Sequence, residues 1–151
     1  MMKKLLYVIL LLLVPSALMI ACSKETNELQ DNAFSVFTPN PTVDYSETAP
    51  GSSSGYFVVE FNDNNKAKII HNGEEYPAEY ELKDNKLSIT FKDDNKENAE
   101  FVVTDLKKHE DNENIYIGLI SKVDIEENHP LRQVFYSLPE KEAVGFLKDN
   151  K

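Results

Sequence analysis

The amino-acid sequence predicts a mainly β protein. An antiparallel meander of about seven or eight strands forms a small barrel, or a sandwich, and one C-terminal α-helix follows it. The first observation is an alternation of apolar and polar residues in short segments from Gly55 onward. The second is that tight polar turn sequences separate these segments. The third is a helix-start signal near the C terminus, so that strands come first and a helix last, as in one coherent domain.

Seven segments have the composition and period of strands. Between the second and the third, Asn72-Gly73 is typical of a type I′ hairpin turn, because both residues tolerate a positive φ. Pro77 removes a ladder hydrogen bond, so we expect it at an edge, a bulge or a strand end. Gly118 indicates a bend or a close backbone approach. The predicted strands cover residues 56–61, 67–71, 76–83, 87–92, 100–106, 115–122 and 131–137.

The C-terminal segment has the signature of a helix. Ser137-Leu138-Pro139-Glu140 matches a capping box, with serine as the N-cap and proline early in the first turn. Apolar residues then fall on one helical face at Ala143, Val144 and Leu147. We therefore expect a helix over 139–147, packed on the outside of the barrel.

The first 22 residues have the layout of an export signal. Lys3 and Lys4 precede an apolar run, and the small residue Ala21 precedes Cys22, the only cysteine of the chain. As a helix the apolar stretch spans about 25 Å, at the lower edge of the ~30 Å hydrocarbon core, so an uncleaved anchor is a marginal alternative. A signal peptide with an incidental cysteine is the other alternative. A single cysteine excludes internal disulfides, so stability must come from a hydrophobic core.

Met19-Ile20-Ala21-Cys22 resembles the lipobox of bacterial lipoproteins. The resemblance implies that the Cys22 sulfur receives a diacylglyceryl group and that the peptide is cleaved before this residue. Cys22 would then be the first residue of a lipoprotein held by palmitate-like acyl chains on the extracytoplasmic face of the cell membrane. Two acyl chains suffice for stable anchoring.

The resulting organisation has three parts. A lipoprotein signal peptide covers 1–21, a lipid-anchored tether with a Pro/Gly/Ser-rich loop covers 22–54, and the β-barrel domain with its C-terminal helix covers 55–151. The polar composition of 23–32 is typical of a flexible tether. Phe34, Val36 and Phe37 follow it as a short strand or turn that docks on the domain.

The charge of the chain limits its partners. The net charge is −10, and it becomes −12 without Lys3 and Lys4 of the export signal. An acidic surface whose only arginine is Arg132 repels phosphate backbones, which argues against nucleic acid as a partner. It also repels anionic lipid head groups, so we expect the domain to stand away from the membrane and to be held only by its anchor.

No constellation of catalytic or metal-binding residues emerges. His71, His109 and His129 lie in separate strand-end or loop contexts, without an HExxH or GxSxG motif, and are expected to be solvated. The acidic stretches 93–95 and 111–114 lack the spacing of an EF-hand loop. The sequence therefore predicts a protein that is not an enzyme and needs no metal or cofactor.

The most informative pattern is apolar. One face of the predicted strands carries residues that would line a concave interior, and the candidates for ligand binding are Tyr76, Tyr80, Phe91, Phe101 and Ile117. In a barrel of about eight strands these residues either fill the core or surround one small ligand, and alternation alone does not decide between the two. Tyrosine hydroxyls favour the cavity slightly, because a buried hydroxyl needs a polar partner. The full set is Tyr76, Tyr80, Leu82, Leu87, Ile89, Phe91, Phe101, Val103, Ile115, Ile117 and Leu119.

The segment from Gly55 to Leu147 is similar to the calycin, or lipocalin-like, class of small bacterial lipoproteins. Gly55-Tyr56-Phe57 matches the GxW motif with Phe57 in place of tryptophan, and Thr104-Asp105 is similar to the second motif of the class. Arg132, in the last predicted strand, corresponds to the arginine that packs over the barrel end. The resemblance implies a calycin-like barrel that binds a small apolar or amphiphilic molecule without catalysis.

A different function is equally consistent with the charge. A membrane-anchored immunity or inhibitor protein would sequester a cationic antimicrobial peptide, as lantibiotic immunity lipoproteins do, or block a lysozyme. Acidic surfaces steer cationic partners towards them.

Overall fold

The computed structural model describes residues 27–46, 55–92 and 98–149, and it confirms the predicted fold class. Within these residues eight antiparallel strands form one closed barrel with a single short helix, α1, between the last two strands. Each strand pairs with its sequence neighbours, and β8 closes the barrel by pairing with β1. The elements are β1 (Asn32–Phe37), β2 (Gly55–Phe61), β3 (Lys66–His71), β4 (Glu74–Lys83), β5 (Lys86–Lys92), β6 (Asn98–His109), β7 (Asn112–Asp124), α1 (Arg132–Tyr136) and β8 (Ala143–Lys148).

Turn chemistry sets the register of the first hairpins. Asn72 and Gly73 have φ values of 52° and 84°, which is the type I′ conformation that the sequence predicts. Asp84 and Asn85 also have positive φ and join β4 to β5. Pro77 lies in the part of β4 that has β3 as its only neighbour, because pairing with β5 begins at Ala78. The expectation of an edge position for this proline is therefore confirmed.

The two ends of the barrel are closed by different segments. At one end, which we call the Leu29 end, residues 27–31 lie beside the β4–β5 and β6–β7 turns, and the Leu29 side chain is buried in the core. At the opposite end, which we call the helix end, α1 and its flanking residues close the barrel. The inward side chains there are Leu131, Val134, Phe135 and Leu138.

The C-terminal assignments were reversed in the sequence-based prediction. Residues 131–137, predicted as a strand, contain α1, and the predicted helix 139–147 is a turn followed by β8. Spacings of three and four residues place Leu131, Val134, Phe135 and Leu138 on one side of a short helix. In β8, Val144 and Phe146 alternate inward because the barrel needs a strand between β7 and β1.

The predicted inward face of β7 was also wrong. Tyr116 and Ile120 belong to the barrel core, whereas Ile115 and Ile117 lie on the outer face, and Leu119 is 45% exposed. Ile115 is fully buried there, because the chain that follows β1 covers it with Phe37, Val43 and Tyr45. This outer contact makes both faces of β7 apolar, so alternation along the strand does not show which face points inward.

The barrel begins earlier than residue 55. Phe34, Val36 and Phe37 do form a strand, as predicted, but this strand is β1, which pairs with β2 and β8. The segment assigned to a tether and loop therefore includes the closing strand and the Leu29 end of the barrel. Residues 107–114, which lie between the predicted strands 100–106 and 115–122, are likewise mostly strand, since β6 and β7 extend to a turn at Glu110-Asp111.

Gly118 permits an irregularity in β6. The register of β6 against β7 shifts between Thr104 and Lys107, and Asp105 has a φ of 54°. A Cβ at position 118 would lie 2.5 Å from Cγ1 of Val103 and 2.9 Å from the Thr104 carbonyl oxygen. The close backbone approach that the sequence predicts at this glycine is therefore confirmed.

We predict that Gly118→Ala destabilises the barrel by about 1–3 kcal/mol, because the added methyl group overpacks a fixed core contact. Urea unfolding followed by circular dichroism measures this loss. Leu119→Ala on the exposed neighbour is the matched control and should change the free energy of unfolding by under about 1 kcal/mol. Equal effects of the two substitutions would contradict the assigned close approach.

Candidate ligand-binding cleft

The five predicted ligand-binding residues do not form one site. Tyr80, Phe91 and Phe101 point into the barrel and are almost fully buried. Tyr76 is partly buried at the margin of the core, and Ile117 lies outside the barrel in the cluster under residues 37–46. The prediction that Ile117 lines the interior is therefore wrong, for the reason given for β7.

Aromatic rings occupy the interior between the two ends. Phe135 of α1 enters the barrel and contacts Phe57, Phe91 and Phe101, with ring centroids 5.3, 5.6 and 5.1 Å apart. Further along the barrel, Phe61 packs edge-on against Tyr80 at 4.7 Å. Of the two alternatives that the sequence left open, these contacts favour the filled core at the centre of the barrel.

A cleft of about 340 Å³ opens at the Leu29 end. Its apolar wall consists of Leu29, Leu82, Leu106 and Tyr116, which also belong to or pack against the barrel core. Polar and charged groups form the rim. The complete lining is Asn27, Glu28, Leu29, Leu82, Lys83, Asp84, Asn85, Leu106, Lys107, Lys108 and Tyr116.

Two tyrosine hydroxyls hold residues 27–31 against this end. Asn27 Nδ2 donates to the hydroxyl of Tyr80 at 2.8 Å, and Tyr80 donates to the Asn62 carbonyl at 3.3 Å. The hydroxyl of Tyr116 donates to Oε2 of Glu28 at 2.9 Å. Burial raises the pKa of both tyrosines, so they remain neutral hydrogen-bonding groups. The polar partners that a buried Tyr80 hydroxyl requires are thus Asn62 and Asn27, and Asn27 belongs to the segment that the sequence assigns to the tether.

Glu28 is the charged centre of the cleft. Lys108 Nζ lies 3.0 Å from Oε2 of Glu28 and 5.5 Å from the centroid of the Tyr116 ring. The hydrogen bond from Lys108, followed by that from Tyr116, lowers the pKa of Glu28, and the bond to Glu28 raises the pKa of Lys108. Lys83 and Lys107 border the same cleft, so three lysines face two carboxylates in a chain whose net charge is −10.

The three histidines are apart from one another and have structural contacts. His71 Nδ1 lies 2.9 Å from the Tyr56 carbonyl oxygen, and His109 packs edge-on against Tyr45. His129 is buried at 7% exposure and accepts a hydrogen bond from the Leu131 amide through Nδ1, so the expectation that it is solvated is wrong.

The described residues also contain no group of three or more histidines, cysteines or carboxylates placed to hold a metal ion. The acidic stretch 93–95 lies outside the described residues. No helix within the described ranges is both long enough and apolar enough to cross a membrane.

The residues behind the family resemblance have separate positions. Phe57 is buried at the start of β2 against Phe101. Arg132 lies on α1 and not in the last strand. Its guanidinium donates to the Tyr136 hydroxyl at 2.9 Å and to the Glu127 carbonyl at 3.1 Å. Cys22, the predicted lipidation site, lies outside the described residues. No family model, curated protein or solved structure matches this chain.

The Glu28 network gives the cleft a pH dependence with a defined sign. A carboxyl group whose pKa is lower in the folded state stabilises the fold above its ordinary pKa of about 4.3, and this stabilisation is lost as the pH falls through the folded pKa. We therefore predict that the protection of the Leu29 amide, measured as its hydrogen-exchange rate relative to an unstructured amide at the same pH, falls on acidification below about pH 4.3, before the barrel strands open.

Glu28→Gln tests the assignment because it keeps a hydrogen-bond acceptor but cannot titrate. This variant should show faster exchange at Leu29 at neutral pH and a flatter response to acid. Glu110→Gln, on an exposed turn residue of the same end, should leave both properties unchanged. Acid-sensitive exchange that persists in Glu28→Gln would exclude Glu28 as its source.

Proposed function

We propose that this chain is a non-enzymatic lipoprotein of the cell envelope, lipid-anchored through Cys22, that binds a small amphiphilic ligand in the cleft at the Leu29 end. One observation carries the proposal: an apolar wall continuous with the core lies under a rim of three lysines in an otherwise acidic protein. A volume of about 340 Å³ lies at the lower end of the range for small-molecule pockets. The ligand that fits this chemistry has a short apolar part and an anionic head group.

In this proposal the wall of the cleft binds the apolar part of the ligand, and the rim binds its anionic head group. Leu82 is partly buried and Leu106 almost fully buried, so both offer apolar surface without large rearrangement. Lys107 and Lys108 are exposed and lie near the C-terminal end of β6, where an anionic group reaches them from solvent. Ligand binding therefore takes place at the end of the barrel and leaves its aromatic interior undisturbed.

We predict that dodecyl phosphate, used below its micelle concentration, binds the unlipidated Cys22→Ser chain with one-to-one stoichiometry in isothermal titration calorimetry. Lys107→Glu should weaken binding at least tenfold, because it places a negative charge on the rim, and tenfold corresponds to about 1.4 kcal/mol. Lys86→Glu makes the same charge change on an exposed lysine that does not line the cleft. The proposal fails if dodecyl phosphate does not bind, or if the two variants weaken it equally.

The charges at the helix end favour a second function, the sequestration of a cationic peptide or lysozyme. Among the described residues of this end, Lys122 is paired with Glu100 and Asp124, and Arg132 contacts Glu127 and Tyr136, so both of these cations are already engaged. An adjoining groove of about 510 Å³ is lined by Tyr56, Tyr76 and Glu74, among other residues. The described acidic residues of this end include Glu74, Glu75, Asp124, Glu126, Glu127, Glu140 and Glu142.

Under this second function a lysine-rich peptide should bind with an affinity that falls steeply with salt. The double variant Glu126→Lys/Glu127→Lys should reduce that affinity at least tenfold in fluorescence anisotropy at low ionic strength. The charge-matched control Glu110→Lys/Asp111→Lys alters the Leu29 end instead. Equal losses in both variants would show an effect of net charge alone and exclude a site at the helix end.

A further inference from the structure

We infer that the Leu29 end of the barrel faces the membrane at close range, so that its cleft opens towards the lipid surface and takes its amphiphile from the bilayer. The inference rests on the proposed anchoring through Cys22. It specifies which surface of the domain meets the membrane and where the ligand comes from.

The position of Asn27 is fixed on the barrel. Its side chain donates to Tyr80 through Nδ2, and its Oδ1 accepts a hydrogen bond from the Leu29 amide at 3.2 Å. Leu29 is 1% exposed, and Glu28 between them is bonded to Tyr116 and Lys108. The chain therefore enters the barrel at the Leu29 end, beside the cleft.

Only five residue steps separate Asn27 from Cys22. A chain extends at most about 3.6 Å per residue, so these steps reach no further than about 18 Å in any conformation. The strand β7 has 13 residues. With a rise of about 3.3 Å per residue and a tilt near 40°, such a strand separates the two ends of the barrel by about 30 Å. A lipid on Cys22 is thus within reach of the Leu29 end and out of reach of the helix end.

This geometry changes the expectation drawn from composition. The sequence predicts a long tether that holds an acidic domain away from the membrane, whereas the described part of that segment, residues 27–46, forms β1 or packs on the barrel. Both ends of the barrel carry carboxylates, so the reach of the connection to Cys22, and not net charge, determines the orientation. At the Leu29 end the three lysines of the cleft are the groups that an anionic bilayer surface attracts.

The orientation also defines the source of the ligand. A cleft with an apolar wall and a lysine rim beside the bilayer receives an anionic amphiphile with a short apolar part directly from the outer leaflet, without passage of that part through bulk water. The membrane is therefore the reservoir that we assign, and a soluble anionic amphiphile is the competing outcome of the test.

Two single-cysteine labels on the full lipoprotein test the orientation, because Cys22 carries the lipid and leaves the new thiol as the only reactive one. Lys86→Cys places a fluorophore beside the Leu29 end, and Gln133→Cys places one on α1, both at exposed positions. In proteoliposomes containing lipid with a nitroxide head group, we expect several-fold stronger quenching at position 86 than at 133. Equal quenching, or stronger quenching at 133, overturns the inference.

A linker variant isolates the short connection as the cause. Twenty Gly/Ser residues inserted between Lys24 and Glu25 have a root-mean-square span of about 25 Å and leave both the lipidation site and the barrel intact. The difference in quenching between the two positions should become much smaller. A difference that persists unchanged would show that the short connection does not set the orientation, and would overturn the inference.

The source of the ligand is tested on the same proteoliposomes. A fluorescent anionic lipid in the bilayer should transfer energy to the label at position 86, and Lys107→Glu should reduce this transfer while Lys83→Arg preserves it. If only a soluble dodecyl phosphate probe reaches the cleft, the membrane is not the source.

Intact-mass spectrometry of the membrane fraction distinguishes failure of the proposed anchoring from failure of the proposed orientation. A chain without lipid on Cys22 contradicts the anchoring and the orientation together. A lipidated chain with equal quenching at both labels contradicts the orientation alone.

Discussion

The interior of an eight-stranded barrel is just wide enough for side chains to fill it, and the rest of this structure depends on that dimension. Here aromatic rings fill the space, with Phe135 brought in from α1 to meet Phe57, Phe91 and Phe101. Because a closed barrel has no free sheet edge, the only places where its core meets solvent are its two ends. Each end is covered by a short segment that inserts apolar side chains, and the candidate cleft and the groove at the helix end lie beside these segments.

Local chemistry explains why some of the fold was predictable from the sequence. The turn residues Asn72, Gly73, Asp84 and Asn85 adopt positive φ and specify their hairpins within a few residues of chain. One-sided alternation correctly placed the inward faces of β4 and β5, whose other faces meet solvent. β7 was misassigned because a covering segment from residues 37–46 makes its outer face apolar. That contact is long-range, and period-two alternation contains no information about it.

The C-terminal error has a similar origin. The spacing of Leu131, Val134, Phe135 and Leu138 is helical, but a helix of five residues is shorter than the length at which periodicity separates helix from strand. Val144, Phe146 and Leu147 fit either period. Closure of the barrel determines that this segment is a strand, because β8 must hydrogen-bond to both β1 and β7. Closure is a property of the whole barrel and not of the local sequence.

The candidate site was the part of the structure hardest to predict from the sequence, because the segment that forms much of it, residues 27–31, has a polar composition. Residues 27–31 contain a single apolar side chain, Leu29, and the segment was assigned to a tether for that reason. Yet one buried leucine and two tyrosine hydroxyls suffice to hold it on the barrel end. Tyr80 has the polar partners that the sequence predicts for a buried hydroxyl, although these are Asn27 and Asn62 and not a water-filled interior. Tyr116, which the sequence did not place in the interior, donates to Glu28.

The same three residues, Asn27 to Leu29, therefore have two roles that composition alone would have kept separate. They line the cleft, and they are the described residues nearest in sequence to Cys22, the proposed lipid attachment site. Under the proposed anchoring, a pull along the chain from Cys22 would reach Glu28 and Leu29 before any strand, so the position of the domain on the membrane would be coupled to the shape of the cleft. The barrel would resist such a pull through its closed ladder of hydrogen bonds. Residues 27–29 are held on it mainly by the Glu28–Lys108 salt bridge, two tyrosine hydroxyls and the buried Leu29 side chain, so under the proposed anchoring they would respond before the strands.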